Sequence, residues 1–255
     1  MNRWLTALLA LSSAAPTALF AEWSLAFRKE QADLSGGATL VEREAEQGDT
    51  SVRIQGIFFS SKNYDFHVVD NPTPDQGTLG AAMTRGDFVA GVNGGYFHAN
   101  WNPVGLAISH GKTTNDFERA KLLSGVFVVT DGNPRLIRSR DYEPSKDDTE
   151  ALQCGPTLVE NGASTVGLND SRRARRTVVA TDGKDRWAIL IFSPVTLADT
   201  ARLLSSRTVF PDFTSRSALN LDGGSSTALW AATDPKPLYR REIGHVRNYL
   251  AIEPK

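Results

Sequence analysis

Apolar and polar residues alternate with a period of two along much of this chain, and that period predicts strands with one buried face. Trp23-Ser24-Leu25-Ala26-Phe27, the run from Ser51 to Phe59, and Tyr64-Asp65-Phe66-His67-Val68-Val69-Asp70 all read this way. In the last of these Asp65 and His67 share one face and Asp70 takes the other, so the three are read as polar strand positions rather than a metal cluster. Phe88 to Val92 reads as a buried strand, Pro103 to Ser109 is followed by the tight turn His110-Gly111-Lys112, and Asp182-Gly183-Lys184 reads as a hairpin turn into Trp187 to Phe192. Gly125 to Thr130 and Arg135 to Arg138 flank Asp131-Gly132-Asn133-Pro134 and form a predicted hairpin. Further strands are expected around Ala218, Leu229 and Tyr249 to Ile252.

Helical spacing is rarer. Thr78 precedes a short helix from Leu79 to Thr84, and Thr196 precedes one from Leu197 to about Leu204. Thr149 to Gln153 reads as a helix end, and Asp141 to Asp148 as a charged surface excursion. Many short strands with few short helices predict an α+β fold of mainly antiparallel mixed sheet. Residues 22–255 are read as a single domain, with 22–48 an N-terminal attachment.

The first residues break the pattern. Arg3 precedes an apolar stretch from Leu5 to Leu11, and small residues follow to Ala21, the layout of a cleavable signal peptide over residues 1–21. Cleavage after Ala15 is the alternative. Nothing later reaches the roughly 20 apolar residues of a spanning helix, so a periplasmic or secreted protein without a transmembrane segment is expected. The 28 basic and 29 acidic residues nearly cancel, which gives no electrostatic case for a nucleic-acid partner. The single cysteine, Cys154, cannot form an intramolecular disulfide and is expected to be buried. Four histidines scattered through the chain make a His-based zinc site unexpected, and His98 and His110 read as solvated loop residues.

Chemistry concentrates in loops at the ends of buried strands. Asn220-Leu221-Asp222-Gly223-Gly224-Ser225-Ser226-Thr227 combines a carboxylate, a glycine pair and three hydroxyls. Asn93-Gly94-Gly95 follows the Phe88–Val92 strand, and Arg176-Thr177 opens Val178-Val179-Ala180. Glycine pairs admit a ligand close to the backbone, and arginine offers paired donors to an anion. The inventory suits a polar, anionic substrate. The chain contains no G-x-S-x-G elbow, no paired zinc histidines and no Walker loop.

In order along the chain, Asn93-Gly94-Gly95-Tyr96-Phe97 with Pro103-Val104-Gly105-Leu106, Cys154-Gly155-Pro156-Thr157-Leu158-Val159 with Asn161-Gly162, Arg176-Thr177, Asn220 to Ser226, and Arg247-Asn248-Tyr249-Leu250 resemble the signatures of the phosphodiester glycosidase family. Ser225 replaces the third glycine of the family's run. The resemblance implies hydrolysis of a small or polymeric sugar-1-phosphodiester in the cell envelope. It would make Asp222 and Asn93 catalytic, with Gly94, Gly95, Arg176, Thr177, Gly223, Gly224, Ser225, Ser226 and Arg247 holding substrate. No cofactor is required for that chemistry, although Asp222 and Asn93 could ligate Ca²⁺ or Mg²⁺ through oxygen. A non-catalytic glycan- or phosphopolymer-binding protein, and a phosphodiesterase cleaving P–O, are the alternatives.

Overall fold

A computed structural model describes residues 22–255; the expected signal peptide and its cleavage sites lie outside the described residues. Among the described residues the chain forms three antiparallel sheets, one of eight strands and two of five. The largest runs, edge to edge, Ser24–Leu34, Ala38–Gln47, Thr50–Ser60, Arg186–Val195, Ala174–Thr181, Ser217–Asn220, Thr157–Glu160 and Ala163–Ser164. The second holds Asp148–Cys154 between Ala107–Ser109 and Gly125–Thr130, with Lys112–Asn115 and Asn133–Arg138 outermost. The third holds Ala90–Asn93 between Leu229–Ala231 and Asn248–Pro254, with Leu238–Arg240 and Tyr64–Asp70 at its edges. The α+β reading with mainly antiparallel sheet therefore describes the molecule.

Alternation decides which core each strand serves. Along Arg186–Val195, Ile189 joins the central core while Ala188, Leu190 and Phe192 join a second one behind the sheet. Val179 and its neighbours Val178 and Ala180 divide the same way. The central core takes Leu40, Phe66, Val92, Phe127, Leu152 and Leu250, and so is contributed by all three sheets. A sheet buried on both faces needs apolar residues at consecutive positions, which accounts for Ile57-Phe58-Phe59. The two helices cover outer faces. Leu79–Arg85 lays Leu79 and Met83 on the third sheet, and Leu197–Ser205 lays Leu203 and Leu204 on the first. Both start at the expected threonines, whose hydroxyls accept from Ala81 N and Asp199 N.

One expectation changes. Thr149–Gln153 is no helix end but the middle of the second sheet, because its neighbours on both sides supply strand partners. Five residues are too few to show a period, and the tertiary pairing decides the outcome. Residues 22–48 contribute Ser24–Leu34, the edge strand of the first sheet, and Ala38–Gln47, which pairs with it on one side and with Thr50–Ser60 on the other.

Candidate active site

The chain leaves the first sheet at Asn220, crosses through Leu221 to Ala228, and enters the third sheet at Leu229. The Asp222 loop is therefore the bridge between two sheets, and its position is fixed from both. On one side Leu221 N donates to Thr177 O at 2.8 Å; on the other Asp222 N donates to Gly94 O at 3.0 Å. The two glycine-pair loops are thus in direct contact.

Asn93 closes the junction. It is fully buried at the end of Ala90–Asn93, and its Nδ2 donates to Asp222 O at 2.7 Å. Its Oδ1 accepts from Thr177 Oγ1 at 2.6 Å and from Ala228 N at 3.1 Å. One amide thus ties together a strand of each sheet and both ends of the bridging loop. With its carbonyl oxygen holding two donors, Asn93 does not fit as a cation ligand, and its amide nitrogen holds the Asp222 backbone in place. A buried amide so fully paired rigidifies its surroundings, since any unpaired member would be costly.

Gly94 and Gly95 have an equally internal role. Gly94 N donates to Asn248 O at 2.8 Å, and Gly95 N to Asn248 Oδ1 at 2.7 Å. A Cβ on Gly94 would lie 2.1 Å from Asn248 Oδ1, so close approach is what requires glycine there. Both N–H groups are thus bonded within the protein, so neither is free to donate to a substrate held at Gly94 and Gly95. Gly223 needs glycine for the same reason, with Arg175 O 2.8 Å from the added Cβ. Only Gly224 of this pair has a positive φ, +61°.

Asp222 itself is half-buried. Its Oδ1 accepts from Gly223 N at 2.8 Å, and Ser226 adds a hydroxyl bond. Burial raises its pKa above the usual aspartate value, with those two hydrogen bonds opposing. No ion pair to Asp222 occurs among the described residues. Its charge is felt by Tyr96 and Cys154, both pushed well up in pKa chiefly by their own burial. Tyr96 donates to Gly155 O and accepts from Asn220 Nδ2 at 3.1 Å. Cys154 is a buried free thiol, as expected. A carboxylate desolvated beside neutral groups is a proton acceptor poised to act.

The remaining expected residues divide. Arg176 is buried to 9% exposure, with Nε donating to Val195 O at 3.1 Å and Nη2 to Arg172 O at 2.8 Å. Its Nη1 has no hydrogen-bond partner among the described residues, and its charge reaches Tyr96. Gly224–Ser226 forms a short 3₁₀ turn whose Gly224 and Ser225 N–H groups make no backbone bond among the described residues. Ser225 is exposed, so its side chain costs no packing where the family has glycine. Thr177 and Ser226 are buried, Thr177 being spent on Asn93. Arg247 is engaged elsewhere: both its terminal nitrogens bind the Asp70 carboxylate. Sequence reasoning overlooked Arg175, which pins the turn by bonds to Gly224 O at 2.9 Å and Ser225 O at 3.2 Å. It also passed over Asn248, although the residue stands in one of the quoted motifs.

A model of the phosphodiester glycosidase family matches residues 86–253, which span the whole of this site. Over 100 residues the chain is 31% identical to the uncharacterized protein YigE of Escherichia coli, covering 34% of this chain and 38% of that protein. The catalytic domain of zebrafish N-acetylglucosamine-1-phosphodiester alpha-N-acetylglucosaminidase, auto-inhibited by its pro-peptide, aligns with a TM-score of 0.59 and 16% identity, covering 96% of this chain and 86% of that one. A hypothetical protein from Synechocystis aligns with a TM-score of 0.61 and 15% identity, covering 89% of this chain and 64% of that one. At such identities these two likenesses show a common fold.

Proposed function

This chain belongs to the phosphodiester glycosidase family, and on that premise we propose that it hydrolyses a sugar-1-phosphodiester with Asp222 as the catalytic carboxylate. The observation that carries the reading is the Asp222 side chain itself. It is half-buried, raised in pKa by desolvation, without an ion pair among the described residues, and rigidly held by the Asn93 and Gly94 contacts. Such a carboxylate takes a proton from water, or stabilises an oxocarbenium-like transition state, better than a solvated one.

In the reaction, water adds to the anomeric carbon and its proton passes to Asp222. The bond between that carbon and the phosphate oxygen breaks, and its electron pair leaves with the phosphate monoester. A phosphate monoester is a stable anion, so departure needs little general-acid help. Arg176 Nη1 and the Ser225 hydroxyl are the groups available to hold the phosphate and offset its growing charge. Asn93 acts through Asp222, fixing the loop that carries it. The apolar N-terminal pattern supports an exported setting and a substrate of the cell envelope.

Hydrolysis of an α-N-acetylglucosamine 1-phosphate methyl diester in ¹⁸O-labelled water tests the reading, with other 1-phosphodiesters in parallel. Label in the released sugar is expected. Label in the phosphate would make the protein a P–O-cleaving phosphodiesterase, and saturable binding without turnover would make it a binding module.

A further inference from the structure

A second group of reactive side chains lies where the second and third sheets meet. His67 is on Tyr64–Asp70, His110 in the turn after Ala107–Ser109, and Glu150 on Asp148–Cys154. One donor atom from each lies within 4.8 Å of the others. Both imidazoles turn Nδ1 toward the same carboxylate oxygen, Glu150 Oε1, at 3.9 Å for His67 and 3.5 Å for His110. Three residues far apart in sequence are brought to one point by the sheet topology alone.

The carboxylate is built in rather than draped on the surface. Glu150 is 4% exposed, its Oε2 accepts from Val68 N at 2.8 Å, and its Oε1 accepts from His110 N at 3.2 Å. Those bonds fix Oε1 between the two rings. His67 Nδ1 is buried and has no hydrogen-bond partner. On its other side Glu253 Oε2 stands 3.0 Å from Nε2, at ion-pair distance though off hydrogen-bond geometry. A small rotation gives Nε2–H to Glu253, which leaves the Nδ1 lone pair facing Glu150. Phe88 packs against the His67 ring at 5.3 Å and limits water on that side.

An imidazole lone pair and a carboxylate oxygen facing each other in a buried space repel unless a proton or a metal cation lies between them, and with three donors converging on one point a metal cation can meet all of them at once. We propose that His67 Nδ1, His110 Nδ1 and Glu150 Oε1 bind a divalent transition-metal cation such as zinc, with Glu253 orienting His67 from behind. Bonds of about 2.0–2.1 Å in a tetrahedral zinc site place donors about 3.3 Å apart. The observed 3.5 and 3.9 Å, with no donor pair wider than 4.8 Å, lie within about 1.5 Å of that value. Two imidazoles favour zinc and its neighbours over calcium or magnesium, which take oxygen ligands. A carboxylate behind a ligating histidine is the usual outer partner, fixing the tautomer. Three protein ligands leave a fourth position to water. The bound ion would clip the second sheet to the third at a point separate from the Asp222 loop.

The test uses the full chain without an affinity tag, freed of metal and titrated with Zn²⁺ by calorimetry and with Co²⁺ by visible absorption. One equivalent of each is expected to bind, with intense d–d bands for Co²⁺ and a melting temperature that rises with Zn²⁺ concentration. His110→Ala should abolish these responses while folding normally, since its side chain is 65% exposed. Glu253→Gln should weaken zinc binding about 10- to 100-fold while keeping one equivalent. Absence of stoichiometric binding, or binding unchanged in His110→Ala, overturns the proposal.

Discussion

Around Asp222, every polar atom of the Asn93 side chain is bonded to the protein; around Glu150, the His67 Nδ1 is buried and bonded to nothing. The first region is a closed network that positions one reactive group, and the second leaves a gap among three. Both lie at junctions between sheets, so the contrast is in what the junction does. In the Asp222 loop the two sheets are joined by backbone and amide hydrogen bonds, and the fold alone holds the geometry. At Glu150 two backbone N–H bonds hold the carboxylate, and the histidines converge on it without direct hydrogen bonds between side chains. A complete network is costly to disturb, whereas an incomplete one changes most when its missing member arrives.

That difference can be measured through stability. Asn93→Ala is expected to have the largest effect, because it strands Thr177 Oγ1, Ala228 N and Asp222 O. Two buried groups and one part-buried group at roughly 1–3 kcal/mol each predict a loss of about 3–5 kcal/mol after relaxation, read by urea unfolding. Gly94→Ala drives a methyl against Asn248 and should cost about 1–3 kcal/mol, with a fall in kcat as the Asp222 loop shifts. Arg247→Ala removes the partner of Asp70, so it should lower the melting temperature and leave KM unchanged. A large rise in KM would instead put Arg247 in contact with substrate. His110→Ala in metal-free protein should change stability by less than about 0.5 kcal/mol, as an exposed side chain does.

The Asp222 pKa adds a prediction with a definite sign. Its folded value is raised above the unfolded one, so the folded state binds the extra proton between the two. Its contribution to stability is therefore largest below the ordinary aspartate value and falls as pH rises through the raised value. Asp222→Asn should be at least as stable as the parent at neutral pH, by thermal unfolding. Activity runs the other way. Acting as a base, Asp222 must be ionised, so kcat/KM should fall as pH drops through a pKa above the usual aspartate range of about 3.9.

Much of the first region was written in local sequence. Asn93-Gly94-Gly95 and Asp222-Gly223-Gly224 announce themselves by composition, and the structure places them in contact. What they do was less readable. The glycine pairs suggested close approach of a ligand to the backbone, but Asn248 takes both N–H groups of the first pair, a pairing that depends on strand register. Arg247 was expected to hold substrate, and its partner Asp70 gave no sign in local sequence because it is distant in the chain and adjacent only across Asn248–Pro254 and Tyr64–Asp70. Strands with a clear period of two, such as Tyr64–Asp70, were placed at their observed bounds. Thr149–Gln153 was misread because a short central strand owes its conformation to its neighbours. The Glu150 cluster left no signal at all, as no two of its members lie near each other in sequence.

The central claim is that Asp222 is the catalytic carboxylate of a phosphodiester glycosidase. Single-turnover hydrolysis of a sugar-1-phosphodiester by the parent and by Asp222→Asn, with folding of both verified by circular dichroism, tests it most directly. A loss of about 10²- to 10⁴-fold in the hydrolysis rate is predicted for the variant. An unchanged rate in a folded Asp222→Asn protein would contradict the account.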